Sequence, residues 1–299
     1  MKALAFGEVL WDIIDGSPHL GGAPLNFAGH MAQCGAKSYI LSRVGNDNLG
    51  KSAIARIKEN KVNTDLIQTD PIHETGTVKV TLSDGQPQYE IKENVAYDFI
   101  EYNDQVKSFN KVSFDLFYFG SLVQRNAVSA ETLYTILDGN DFPDVFFDVN
   151  LRKDGFNSAI LSRSLQYASI LKLNTAELPV ISNLVFEDNL SQEDFCKRIT
   201  EKFKIRIIII TAAENGCYIF TNQHLSHMSG VKVEVADAVG AGDAFSAAFM
   251  YQYTKTKNAM KSASVANQIG AYVASKNGAL PPYSDEIKKM LKQTRSLKS

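Results

Sequence analysis

The sequence predicts an α/β fold, with helices alternating around a mostly parallel sheet and a small second β-sheet set against it. The first observation is a recurrence of apolar runs rich in β-branched and aromatic residues, at 2–6, 38–44, 114–119, 145–149, 170–173 and 206–211. Longer amphipathic stretches separate them, which is the pattern of βα units wound about a buried sheet. The second is Ile207, Ile208, Ile209 and Ile210, a run with no polar face. It suits a central strand covered on both sides. The third is a break in the alternation at 75–91, which reads as a β-hairpin turning at Asp84-Gly85. Val78, Val80 and Leu82 alternate there with polar neighbours, so one face is solvated or meets a ligand. With residues 9–19 this hairpin makes a small sheet over the main body.

The helices follow in order: one after Pro24, then 48–60, 127–137, 158–167, 192–203, 242–253, 258–276 and 284–292. Asp47, Asn126, Asn157, Ser191, Asn258 and Ser284 stand at their starts, where a short polar side chain can accept from an unpaired backbone N–H. No repeat, low-complexity tract or linker interrupts the chain, so residues 1–299 read as one domain, with the second sheet formed by about 9–19 and 75–103.

Composition narrows the partners. Of 299 residues 44% are hydrophobic and 21% charged, the balance of an ordinary soluble domain. Thirty-one basic residues against 33 acidic ones leave a net charge of −2, so no broad positive field awaits a nucleic acid. No apolar run approaches the roughly 20 residues that cross a bilayer, and the first residues lack the pattern of a signal peptide. The expected location is the cytoplasm. Cys34, Cys196 and Cys217 are odd in number and show no CxxC spacing, which points to reduced, buried thiols and to neither a disulfide framework nor a zinc cluster.

The most informative segment is Asp237-Ala238-Val239-Gly240-Ala241-Gly242-Asp243, between a strand-like stretch at 231–236 and a helix. Glycines at such a junction let successive N–H groups converge at a helix N-terminus, where an anion is stabilised. Asp243 beside that seat can take a proton from an attacking hydroxyl. The local pattern fits equally a tight turn whose Asp only caps the helix.

This segment resembles the D-T-x-G-A-G-D signature of the ribokinase-like (PfkB) carbohydrate kinases, and other segments match that family in the same order. Gly21-Gly22-Ala23-Pro24-Leu25-Asn26 resembles its G-G-A-P-x-N, residues 44–50 its G-x-D-x-x-G, Asp148-Val149-Asn150-Leu151-Arg152 the D-P-N-L-R of fructokinase-type members, and residues 172–177 its N-x-x-E. The resemblance implies a three-layer α/β/α domain whose small sheet is a lid over the sugar. It makes Asp243 the catalytic base, with the N–H groups of Gly240, Ala241, Gly242 and Asp243 as the seat for the γ-phosphate of ATP. Asp12, Gly22 and Asn26 become sugar-binding, and Arg152 and Lys172 the cations that offset bound ATP. Asn174 and Glu177 are implied to hold Mg²⁺ through water; the same spacing fits an N-terminal capping box. Thr211, Gly216 and Asn267 fall to the nucleotide. Asp237 and the loop at 278–282 lie where many members coordinate a monovalent cation, and Ala238 in place of Thr or Ser, with prolines in that loop, leaves K⁺ activation open. Ala213 stands where the family has Gly, which questions the turn at 211–216.

The expected reaction is transfer of the γ-phosphoryl of MgATP to a primary hydroxyl of a free hexose, fructose first. Ala23-Pro24 and Asn150-Leu151-Arg152 favour fructokinase over ribokinase or 2-keto-3-deoxygluconate kinase, and no Lys or Arg adjoins residues 21–26 to receive a phosphorylated sugar. A catalytically silent binding protein on the same scaffold is the rival class, which the retained Asp243 disfavours. A different motif competes: Gly45-Asn46-Asp47-Asn48-Leu49-Gly50-Lys51-Ser52 matches the P-loop pattern letter for letter. That reading leaves the glycines at 240–242 without a role. The lid's exposed strand edges offer a route to a homodimer.

Overall fold

The structure is a computed structural model that describes residues 1–83, 86–109, 112–153 and 155–293. The chain opens with β1 (Lys2–Phe6), β2 (Leu10–Ile14), β3 (Ser17–Gly21), α1 (Ala23–Cys34), β4 (Lys37–Gly45), α2 (Asn48–Glu59), β5 (Ile67–Asp70), β6 (Gly76–Ser83) and β7 (Gln86–Ile91). It continues through α3 (Asp104–Phe109), β8 (Leu116–Gly120), α4 (Ala127–Gly139), β9 (Asp144–Asp148), α5 (Ser158–Tyr167), β10 (Ile170–Asn174), α6 (Glu177–Phe186) and α7 (Gln192–Phe203). The last elements are β11 (Ile207–Thr211), β12 (Cys217–Thr221), β13 (His224–Met228), α8 (Ala241–Thr256), α9 (Ala259–Ala274) and α10 (Asp285–Gln293).

The large sheet has the order β13-β12-β11-β10-β9-β8-β1-β4-β5. It is parallel from β11 to β5, and the β11–β12 and β12–β13 pairs are antiparallel. Because side chains alternate across a strand, each central strand feeds two cores. Ile207 and Ile209 join Ala3, Ala5, Tyr118 and Phe146 on one face, under α1, α8 and α9 through Phe27, Phe249 and Ile269. Ile208 and Ile210 join Leu4, Phe6, Phe117 and Phe147 on the other, under α4, α5, α6 and α7 through Leu133, Leu161, Ile181 and Phe195. The isoleucine strand is thus buried on both faces, but it is third from an edge rather than central, since the β12–β13 hairpin ends the sheet on its side.

The second sheet has the order β3-β2-β6-β7 and packs on a small core of Leu10, Val78, Val95 and Tyr97. Residues 9–19 and 75–91 do combine, through a parallel pairing of β2 with β6 flanked by two antiparallel pairs. The expected turn at Asp84-Gly85 lies outside the described residues. The strand-like stretch 231–236 is a correction: it joins no ladder among the described residues. Val231, Val233 and Val235 alternate with polar residues but remain exposed, and the stretch is tied only at its end, where the Ala236 and Asp237 amides donate to the Ala274 carbonyl.

All three cysteines are free and buried. No helix among the described residues is long and apolar enough to cross a membrane.

Candidate active site

The parallel strands set the place of the site. Glu8 just after β1, Asp148 at the end of β9, Asn174 at the end of β10 and Thr211 at the end of β11 all lie at carboxyl ends of strands, where open α/β sheets bind their ligands. The start of α8 and the start of α1 meet there.

Gly240 caps α8 at φ 78°, and a Cβ on it would lie 2.5 Å from the Ala279 carbonyl oxygen, so only glycine permits this turn. Among the described residues the N–H groups of Gly240, Gly242 and Asp243 have no protein acceptor, whereas Ala241 donates to the Ala238 carbonyl at 3.3 Å. The anion seat therefore has three free amides rather than four. The positive end of a sixteen-residue helix adds to it. Behind it stands Lys172, whose Nζ would be 3.4 Å from a Cβ on Gly242.

Asp243 does not cap its helix. Its Oδ2 accepts from Asn26 Nδ2 at 2.8 Å, and Asn26 lies inside α1 with its own N–H on the Gly22 carbonyl, so Asp243 does not play the capping part that its local sequence allows. Burial raises the Asp243 carboxyl to about 6, and the Asp148 carboxylate adds to this against the pull of Lys172, the Asn26 hydrogen bond and Arg152. The result is a carboxylate that is ionised at neutral pH and close in proton affinity to what a general base needs.

Below Asp243 lies a buried charge network. Lys172 Nζ donates to both oxygens of Asp148 at 3.0 Å, and the hydroxyls of Tyr118 and Ser246 each reach Asp148 Oδ2 at 3.2 Å. Burial works against the Lys172 ammonium, but Asp148 and Asp243 outweigh it and raise its pKa. Lys172 is thus committed to Asp148 while its charge still faces the anion seat.

The expected sugar-binding residues converge on the same mouth. Gly22 has φ 112°, and a Cβ there would come within 2.4 Å of the Glu8 carbonyl oxygen. The Asp12 carboxyl lies against Gly21; burial raises its pKa, opposed by Arg152 and His19. Arg152 is exposed, and its charge acts on Glu8, Asp12 and Asp243 together.

On the other side, Asn174 and Glu177 form a reciprocal cap. Asn174 Oδ1 accepts from the Glu177 amide and Glu177 Oε2 from the Asn174 amide, while Glu177 Oε1 accepts from Leu151. The capping reading holds, and Glu177 also pins the loop that carries Arg152. The turn after Thr211 survives the change from glycine because Ala213 adopts φ 47°, at a cost of about 1–2 kcal/mol. Gly216 lies against the backbone of 228–230, and Asn267 Nδ2 donates to the Met228 and Ser229 carbonyls, so both shape one loop. Asp237 is a clamp: its two oxygens accept from the amides of Val239 and Gly278.

The P-loop reading fails on geometry. The Asp47 carboxylate accepts from the Gly50 and Thr75 amides, Gly45 donates to Thr75 Oγ1, Asn46 to the Asp70 carbonyl and Lys51 to the Asp47 carbonyl. An acidic side chain sits where a phosphate would have to. Lys51 is exposed, so Lys51→Ala is expected to change kcat/KM by less than about 3-fold, as surface substitutions near neutral in energy do. Loss of activity in a folded Lys51→Ala protein would contradict this.

Sequence reasoning missed Glu8, Tyr118, Ser246 and His30. The imidazole of His30 is buried, which lowers its pKa to about 4 and keeps it neutral. One ring nitrogen must then donate to the Ala279 carbonyl, at 2.9 Å, and the other accept from the Tyr283 hydroxyl, at 2.9 Å. Since Ala279 is what Gly240 packs on, His30 joins the helix that carries Asn26 to the loop that supports the anion seat.

Comparison with known proteins bears on the family and the fold. An uncharacterized sugar kinase of Pyrococcus horikoshii is 29% identical over 289 residues, covering 91% of this chain and 86% of its own. Its crystal structure in complex with ATP superposes with a TM-score of 0.85 over 99% of both chains. The fructokinase of Escherichia coli is 26% identical over 298 residues, covering 93% of this chain and 95% of its own. A crystal structure of Xylella fastidiosa fructokinase with bound ATP has a TM-score of 0.86 over 99% of both chains, a likeness of fold at 22% identity. Residues 4–286 match the pfkB family of carbohydrate kinases. The chain belongs to that family and is a carbohydrate kinase.

Proposed function

We propose that the protein transfers the γ-phosphoryl group of ATP to a hydroxyl of a free sugar, with fructose the preferred acceptor. The observation that carries this is the 2.8 Å bond between Asn26 and Asp243 at the rim of the anion seat, which sets a base, a polyol-binding amide and three free N–H groups in one place. The sugar hydroxyl lies against Asp243, which takes its proton as the oxygen attacks phosphorus. Gly240, Gly242 and Asp243 then donate to the oxygens of the transferring group from positions already fixed by the helix. Lys172 supplies positive charge from behind, and Arg152 closes the acidic mouth.

Among the described residues no cluster of three His, Cys, Asp or Glu side chains could hold a metal directly. Glu177 fits Mg²⁺ only through water, since each of its oxygens already accepts one backbone N–H group and keeps one further lone pair, whereas Asn174 Oδ1 accepts from both the Ala176 and Glu177 amides and is filled. When bound with the nucleotide, the metal supplies charge neutralisation on the phosphates. The oxygens of Asp237 each accept one backbone N–H group, and K⁺ activation stays open. The second sheet, about 9–19 and 75–103, acts as the lid and carries Asp12 to the sugar.

Fructose is favoured because the mouth carries carboxyls and a single guanidinium, and because fructokinases stand among the relatives. A coupled ADP-release assay over a panel of sugars tests it: release is expected to require Mg²⁺ and to show a higher kcat/KM with fructose than with ribose, 2-keto-3-deoxygluconate or sugar phosphates. A higher value for another sugar removes fructose and leaves the kinase. Binding of ATP and sugar without any ADP would establish the silent protein instead.

A further inference from the structure

Three buried polar atoms near the site have no hydrogen-bond partner among the described residues: Glu8 Oε2, Asn26 Oδ1 and Tyr97 Oη. Leaving such an atom unpaired costs about 1–3 kcal/mol, and more for a charged group, so an unpaired carboxyl oxygen at the rim of a binding site calls for a ligand.

Glu8 is 4% exposed and lies just past the end of β1, after Gly7. Its carboxyl accepts from the backbone amides of Glu8 itself and of Ala23, the first residue of α1. It is therefore held from the protein side, with Oε2 left over. It lies under the Gly21–Asn26 segment, because a Cβ on Gly22 would be 3.4 Å from Glu8 Cγ. The Asn26 amide faces two ways: Nδ2 is spent on Asp243, and Oδ1 is free.

We infer that Glu8 is a sugar-recognition residue, whose Oε2 works with Asn26 Oδ1 as a pair of buried acceptors for hydroxyls other than the one that Asp243 deprotonates. This deepens the proposed function and rests on it. The pair also names a substrate class. The charged groups that act on Glu8 are Arg152 and Asp243, and Glu8 in turn acts on Tyr97 and Tyr118, so among the described residues the cation that faces Glu8 is Arg152. Burial raises Glu8 to about 7 and Asp243 to about 6, and raises Asp12 as well. Three carboxyls already strained for charge would meet the carboxylate of a sugar acid as a fourth. A neutral polyol brings only hydroxyl donors, which is what unpaired acceptors need.

The test is Glu8→Gln, which keeps the shape and exchanges an acceptor for a donor. With melting temperature and circular dichroism unchanged, KM for fructose is expected to rise 10-fold or more while KM for ATP moves less than 2-fold. The kcat/KM ratio of 2-keto-3-deoxygluconate to fructose is expected to increase. Fructose should raise the melting temperature of the wild type and not that of the variant. If Glu8→Gln does not fold, Glu8→Asp, which withdraws the acceptor by one methylene, carries the same readings. A fructose KM within 2-fold of wild type, or equal rises for fructose and ATP, overturns the role of Glu8. A wild type that prefers the sugar acid overturns the substrate class. A wild type that turns over no sugar defeats the kinase reading alone, and the shift in melting temperature then decides whether Glu8 binds the sugar.

Discussion

Asp243→Asn is expected to lower kcat by about 10²-fold or more, the scale of losing a general base. The amide keeps the size of the carboxyl and can still bond to Asn26 after rotation, so fructose and ATP binding should change little. The pH dependence follows from the same group. Asp243 works ionised and its free-protein value is about 6, so wild-type kcat/KM should decline by up to tenfold per unit as pH falls below about 6. Glu8, at about 7, loses its acceptor character earlier on the same acid side. The residual activity of Asp243→Asn should keep the Glu8 decline and lack the steeper one below pH 6. A variant within threefold of wild type would exclude Asp243 as the base.

Lys172→Met is expected to cost about 3–5 kcal/mol of folding stability, read from denaturant unfolding. Lys172 and Asp148 expose only 11% and 1% of their side chains, and the variant leaves the Asp148 carboxylate buried with two hydroxyls as its remaining partners. The cost comes from the uncompensated charge rather than from a strong pair. Lys172→Met with Asp148→Asn should therefore recover most of it, since Asn still accepts from Tyr118 and Ser246. A single-variant loss under about 1 kcal/mol would show that water or a rotamer change relieves the charge.

These residues also show where sequence reading succeeds and where it stops. The Ile207–Ile210 run was legible because burial on both faces removes the polar alternation, and the alternation of these four side chains between two cores is its direct consequence. The edge of the sheet was not legible: β13, with its two histidines and partial exposure, has neither a dry face nor an apolar run. Helix α6 escaped because Pro179 in its first turn breaks the pattern that marks a helix interior, although proline is tolerated there. At 231–236 the opposite happened, since three alternating valines imitate a strand that has no neighbour to pair with.

The site divides the same way. Gly240, Gly242 and Asp243 carry their chemistry in a contiguous motif, and the turn that exposes their amides is local. Glu8 and His30 acquire theirs from partners distant in sequence. Glu8 is a lone carboxyl in an apolar run until Gly22 closes on it, and His30 meets Ala279 across 249 positions. Even Asn26 and Asp243, both marked by motifs, disclose their 2.8 Å contact only when the fold brings together residues 217 apart.

Phosphorus NMR of the products from MgATP and fructose tests the central claim most directly, with wild type and folded Asp243→Asn run side by side. The account predicts that the wild type forms ADP and a fructose phosphomonoester in equal amounts, and that Asp243→Asn forms the same ester at a rate lower by two orders of magnitude. Inorganic phosphate in place of the ester, or ester formation by Asp243→Asn near the wild-type rate, would contradict it.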